Sequence, residues 1–162
     1  MPTKKKSLVV DESKALSLYP TASKELKQIL EDTFGKDFFV PKKIIDRIKT
    51  FEDACKERGE NAKTLITRWT KAGLTVSEIA GKKIKIIIEV LNEGKKLDWT
   101  NTGQYKYIPY FRRSGARWSY DGYDTWAAAC CCAPGFYLET AEKAIYMGRQ
   151  FADLYNKYFS EQ

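Results

Sequence analysis

The chain of 162 residues contains no histidine. That absence removes the Ser-His-Asp and Cys-His nucleophile systems and every metal site that needs an imidazole ligand. There is no GxxxxGK[ST] phosphate loop, no GxGxxG after a strand, no GxSxG elbow and no EF-hand loop. Uninterrupted apolar runs such as Ile86–Ile88 fall far short of the ~20 residues that a membrane span requires. The cysteines, Cys55, Cys130, Cys131 and Cys132, form no CxxC pair. Three in a row cannot surround one zinc ion, because successive strand side chains point to opposite faces. They read as reduced thiols acting as small hydrophobes beside Ala127, Ala128 and Ala129. With no apolar leader in the opening MPTKKKSLVVDE, the expected compartment is a reducing bacterial cytoplasm.

What is present describes a soluble globular protein: 43% hydrophobic residues and 30% charged ones. The length suits one domain, with room for a small appendage. The net charge of +7 is spread as +4, +2 and +1 over residues 1–50, 51–100 and 101–162. Its sharpest cluster, Lys4-Lys5-Lys6, falls in an expected flexible basic N-terminus, residues 1–10. Such a balance favours encounters with anions. It does not by itself specify one.

Residues 11–72 read as a helical segment. Asp11 caps a helix that stops at Pro20, and Thr21 or Ser23 opens a second with Leu26, Ile29, Leu30 and Phe34 at helical spacing before Gly35. Pro41 suits the first turn of a helix through Ile44, Ile45 and Ile48. Thr50 and Asp53 form a capping-box pattern, and a further helix over 61–72 carries Leu65, Ile66 and Trp69. The second part, residues 73–162, opens with a capping box at Thr75 and Glu78. Behind it Ile79, Ile84, Ile87, Ile88 and Leu91 make an apolar stripe. Lys82, Lys83 and Lys85 occupy its other faces, as a solvated surface or as a basic helix laid on phosphate. The two parts are compatible with one domain.

Beyond Gly94 the composition shifts: fifteen of the 22 aromatic residues lie in 101–162. Tyr105–Phe111 reads as a strand with Pro109 at an edge, and Arg117–Tyr120 as its hairpin partner. Asp121-Gly122 predicts a turn, Thr125–Cys132 a third strand and Phe136–Leu138 a brief fourth. Thr140 caps a last helix with Ala144, Gly148, Phe151, Tyr155 and Tyr158 on one stripe. The expected fold class is α+β: a helical N-terminal part packed with an antiparallel sheet of three to four strands and a C-terminal helix.

The candidate binding surface is the segment 105–126. Arg112, Arg113 and Arg117 bracket a glycine-containing turn, and guanidinium forks bind phosphate bidentately. Trp118, Tyr120, Tyr123 and Trp126 offer stacking surfaces or pocket walls, and Lys106 adds charge. The competing reading of the same residues is ordinary: aromatic rings fill sheet faces and arginines solvate hairpin ends. Asp121 and Asp124 flank a turn where Asp is common, which argues against an acid/base pair.

Residues 18–27 and Leu30-Glu-Asp-Thr-Phe-Gly35 resemble openings of uncharacterised small proteins from phages and prophages of gut Bacteroidales. So does Asp46-Arg-Ile-Lys-Thr-Phe-Glu-Asp-Ala-Cys55. The block from Leu91-Asn-Glu-Gly94 to Asp98-Trp99, then Gln104-Tyr-Lys-Tyr and Pro109-Tyr-Phe111, is similar to one in the same proteins. The ending from Ala141 to Phe159, with Gly148-Arg-Gln-Phe151 at its centre, also looks like theirs. The likeness covers about two thirds of the chain in patches. The family's usual Gly-Ser-Arg-Leu stretch is replaced here by Ala133-Pro-Gly-Phe136, so no role for that arginine carries over. Because no activity is attached to that family, the resemblance implies a phage or mobile-element origin and nothing about catalysis.

Together these readings give an expected function. It is a non-enzymatic, phage-encoded intracellular protein that binds an anionic ligand, nucleic acid or a nucleotide signal. Sequestering a host signal would make it an anti-defence factor. No cofactor and no membrane partner is expected, and a homo-oligomer fits. The alternative is a virion or host-protein-binding component that buries the aromatic sheet against protein. An enzyme would need convergent carboxylates or a lysine of perturbed pKa.

Overall fold

Capping chemistry fixes most of the helix starts. In the computed structural model, which describes residues 10–40, 43–127 and 135–160, Asp11 accepts from the Lys14 N–H and opens α1 (Glu12–Leu18). Ser23 opens α2 (Lys24–Phe34) in the same way, and Gly35 at φ 85° ends it. The chain divides into two compact units, residues 1–42 and 43–162. In the first unit Tyr19 stacks on Phe39 at 4.0 Å, Phe34 on Phe38 at 5.1 Å, and the Tyr19 hydroxyl donates to Glu31. Lys4–Lys6 and Pro41 lie outside the described residues.

The second unit is built around one helix. Short α3 (Ile44–Arg47) is followed by α4 (Phe51–Glu57), whose complete Thr50/Asp53 capping box holds the Asp53 carboxyl below its usual range, chiefly through the Thr50 hydroxyl. Next come α5 (Ala62–Lys71), capped by Asn61, and the 16-residue α6 (Val76–Leu91), with its own Thr75/Glu78 capping box. Ile84, Ile87, Ile88 and Leu91 of α6 are all buried, and α3, α4 and α5 pack along this helix. Burying each such side chain contributes roughly 1.5–3 kcal/mol. None of the described helices is long and apolar enough to cross a membrane.

The sheet is a two-stranded antiparallel ribbon, β1 (Lys106–Ser114) with β2 (Arg117–Trp126). The expected three to four strands are therefore not what the described residues form. Asp121-Gly122 does not turn the chain. Tyr110 pairs with Gly122 and Phe111 with Tyr120, so Asp121 is an extra residue absorbed as a β-bulge and β2 runs on through it. Thr125 and Trp126 belong to β2, while Cys130–Cys132 lie outside the described residues. The segment expected as a fourth strand contributes only an isolated bridge, Tyr107 to Leu138.

A lone hairpin is marginal in water and offers two open edges. Both are managed here by local clamps. Tyr107 exchanges backbone hydrogen bonds with Leu138, N–H to O at 2.9 Å and O from N–H at 2.7 Å. On the other edge the Trp118 N–H donates to Asn156 Oδ1 and its carbonyl accepts from Asn156 Nδ2, both at 2.8 Å. One side-chain amide thus stands in for a residue of a third strand.

The expected C-terminal helix is two helices, α7 (Ala141–Gln150) and α8 (Ala152–Phe159), separated at buried Phe151. Both pack on the ribbon, and α8 also packs on α6. Ala144, Met147 and Tyr155 are buried with Pro109-side residue Phe111 against them, Phe111 and Tyr155 having ring centroids 4.5 Å apart. Burial pushes the Tyr155 hydroxyl's pKa up, and that hydroxyl finds no hydrogen-bond partner among the described residues. An unpaired buried hydroxyl costs stability. Tyr155→Phe is therefore expected to raise unfolding stability by about 1 kcal/mol, read from the urea midpoint at unchanged slope.

Buried Asn92, just past α6, ties the chain entering α7 to the core. Its Nδ2 donates to the Tyr137 carbonyl and its Oδ1 accepts from the Glu139 N–H, both at 2.9 Å. Nearby, Lys143 is buried with its ammonium 3.0 Å from Glu139 and 3.3 Å from Glu93. Hydrogen bonds from Lys95 and then Lys143 hold the Glu139 carboxyl below its usual range. Asn92→Ala removes both of these buried hydrogen bonds at once, so a loss of about 2 kcal/mol is expected in the same denaturation assay. Asn92→Asp keeps the acceptor for the Glu139 N–H but turns a buried carboxylate oxygen onto the Tyr137 carbonyl, so it should cost at least as much.

Candidate functional site

The hairpin bend holds the three arginines of the sequence-based site. Ser114 pairs with Arg117 across a two-residue loop, Gly115-Ala116, with positive φ at Gly115 (60°) and not at Ala116. That is the pattern of a type II′ turn, whose twist matches the strands it joins. Arg112, Arg113 and Arg117 are all exposed. The side chain of Arg112 is 72% exposed and its Nε donates to Asp121 at 2.7 Å; that bond raises the guanidinium's pKa further. Arg117 is 75% exposed and lies 3.3 Å from Asp153 at the start of α8. The Arg113 Nε reaches the Gly115 carbonyl at 3.4 Å, and among the described residues no carboxylate lies within ion-pair distance of it. Two of the three cations thus sit in wet ion pairs, which contribute little and exchange easily.

Register assigns the remaining residues to faces. Lys106/Trp126, Ile108/Asp124, Tyr110/Gly122, Arg112/Ser119 and Ser114/Arg117 share one face, and the alternate pairs share the other, which meets α7 and α8. Trp118 and Tyr120 belong to the second set. The Trp118 ring lies 5.1 Å from Phe159, and Tyr120 meets Phe111 at 6.0 Å with the Arg149 guanidinium 5.8 Å from its ring. Burial raises the Tyr120 hydroxyl's pKa. These two rings serve the packing of the ribbon on the helices and do not stand free beside the arginines. The reason is parity: Phe111 is the apolar anchor of β1, and its cross-strand partner must point the same way.

Lys106 is placed otherwise than expected. It is fully buried, with its ammonium 2.8 Å from the Asn101 carbonyl and 5.5 Å from the Trp99 ring centre. It sits at the far end of the ribbon from the bend, so it does not join the arginine cluster. Tyr123 is 43% exposed and meets Tyr107 edge-on at 5.7 Å; Trp126 is 36% exposed at the ribbon's base.

What sequence reading missed is the ring that belongs with the arginines. Tyr110 is 48% exposed and sits one pleat from Arg112 on the outward face, close enough for the phenol and guanidinium to interact electrostatically. Its cross-strand partner is Gly122, which leaves the ring without a neighbour directly opposite. Alternation alone puts Tyr110 and Arg112 on one side, so that signal was available. Asp153 and Asn156 were not visible in this way, because they reach the bend from 36 and 38 positions downstream.

Among the described residues no group of three or more Cys, Asp or Glu is placed to hold a metal ion. Comparison with protein-family models, with curated proteins and with solved structures finds no match, so the chemistry of the site is read from its own residues.

Proposed function

We propose that this chain is a non-enzymatic binding protein for single-stranded nucleic acid, and that the outward face and bend of its β-ribbon make the contact. The observation that carries the reading is the register, which lines up Trp126, Tyr110, Arg112 and Arg117 on one face with Gly122 opposite Tyr110. Phosphates take the guanidinium groups and a base stacks on the open phenol ring. Side chains three-quarters exposed at a projecting bend do not wall an enclosing pocket. Between the two anionic ligands consistent with the sequence, this favours a polymer over a single enclosed nucleotide. An intracellular phage setting rests on the sequence resemblance alone.

The test is fluorescence anisotropy with a thymidine oligonucleotide about 20 nucleotides long, titrated at about 0.05 and about 0.2 M salt. Binding should weaken steeply as salt rises, with a slope near −0.7 per phosphate neutralised. Tyr110→Ala, which removes one stacking platform, should weaken binding roughly 5- to 150-fold without altering the salt slope. Absence of oligonucleotide binding overturns the proposal. A salt-insensitive complex of one mononucleotide per chain would replace it with the nucleotide-signal reading. A stable assembly of copies that binds neither would favour the virion or protein-interface reading.

A further inference from the structure

Away from the ribbon, two neighbouring concavities along α6 share a wall. The first, about 440 Å³, is lined by Glu78, Lys82 and Lys85 of α6 together with Phe136 and Tyr158. The second, about 460 Å³, is lined by Lys85 again, with Glu89, Lys95, Lys96 and Trp99. Lys85 is a wall of both, and the loop residues Gly135, Phe136 and Tyr137 line the side opposite α6. Gly135, at φ 84°, stands beside the Lys85 stem: a Cβ there would lie 3.6 Å from Lys85 Cδ, in ordinary contact. Its ammonium stands 5.2 Å over the Phe136 ring.

The charges of this groove are unbalanced in a specific way. Its two carboxylates are already used, Glu78 by the Thr75 N–H at 2.8 Å and Glu89 by Arg58 at 2.9 Å. Lys95 is paired with Glu139 at 3.0 Å. Lys82, Lys85 and Lys96 are exposed and make no ion pair among the described residues. Lys82 and Lys85 stand about one helical turn apart, and Lys96 follows beyond the helix end. A row of cations along a groove suits the regularly spaced charges of a phosphodiester chain. The rings here face one another and Lys85, Phe136 stacking on Tyr158 at 5.5 Å, so they are not free to take bases.

We infer that the α6 groove is a second contact for single-stranded nucleic acid, holding the backbone through Lys82, Lys85 and Lys96 with no base recognition. This rests on the ligand class proposed for the ribbon, at a separate set of residues.

The test uses the full chain, with Lys82→Gln, Lys85→Gln and Lys96→Gln combined so that the aliphatic stems remain. It is measured beside the ribbon variant Tyr110→Ala by anisotropy with thymidine and mixed-sequence oligonucleotides. The groove variant should bind roughly a hundredfold more weakly at about 0.1 M salt, and its salt slope should become shallower by about 2, three phosphates at ~0.7 each. The loss should be the same for both base compositions, and circular dichroism should be unchanged. Wild-type affinity and slope in the groove variant overturn the inference and leave the ribbon reading standing if Tyr110→Ala still weakens binding. Loss in the groove variant with none in Tyr110→Ala keeps the groove and overturns the ribbon. Equal competition by polyglutamate of matched charge overturns the groove's assignment to nucleic acid, since an acidic protein segment would then serve as well.

Discussion

Gly148→Ala is expected to destabilise the second unit by about 3 kcal/mol, at the upper end of the cost of overpacking a core. Alanine is ordinarily the better helix former, by about 1 kcal/mol, and Gly148 lies inside α7, so local propensity predicts the opposite sign. Packing decides. A Cβ on Gly148 would lie 2.2 Å from Tyr120 Cδ2, 2.3 Å from Cε2 and 3.1 Å from Pro109 Cβ. The ring cannot step aside freely, because Phe111 and the Arg149 guanidinium flank it. Urea denaturation of a double-mutant cycle tests the cause. In a Tyr120→Ala background only the 3.1 Å approach to Pro109 Cβ remains, and most of the cost of Gly148→Ala should disappear. A cost that persists without the Tyr120 ring would locate the problem elsewhere in α7.

That contrast also shows where the sequence was informative. Helix starts were legible because each cap is a local event: Asp11, Ser23, Thr50 and Thr75 accept from N–H groups only three residues ahead. The buried stripe of α6 was legible because helical periodicity needs no knowledge of the partner. The ribbon was legible as a hairpin and misread in its second half. Asp121-Gly122 carries turn chemistry, and only the pairing of Tyr110 with Gly122 and Phe111 with Tyr120 shows that the extra residue is spent on a bulge. Trp118 and Tyr120 lie on the face that α7 and α8 cover, and alternation within a single strand does not say which face that is. The same gap hid Lys106, whose ammonium is taken by a carbonyl of the loop before its own strand. What composition does not report is that α3, α4 and α5 find their apolar partner in α6.

Replacing Arg112, Arg113 and Arg117 together by alanine is the most direct challenge to the proposed interface. Affinity for a single-stranded oligonucleotide should fall roughly a hundredfold at about 0.1 M salt, and the salt slope should become shallower by about 2 for three lost phosphate contacts. The fold should tolerate the change, because the pairs to Asp121 and Asp153 are exposed and add little to stability. Circular dichroism and the melting temperature check that part. Replacing the same three by lysine separates charge from geometry. The slope should return to that of the wild type while affinity stays several-fold weaker, since an ammonium is a point charge and cannot fork onto phosphate. The partners supply a test of opposite sign. Asp121 and Asp153 compete with phosphate for Arg112 and Arg117, so Asp121→Asn and Asp153→Asn should each tighten binding, and more so at low salt. Tightening in the asparagine variants alongside loss in the arginine variants is hard to obtain from a protein that merely loses or gains stability. If the asparagine variants bind as the wild type does while the triple alanine variant also keeps its affinity, the bend is an ordinary solvated hairpin end and the contact lies elsewhere on the chain.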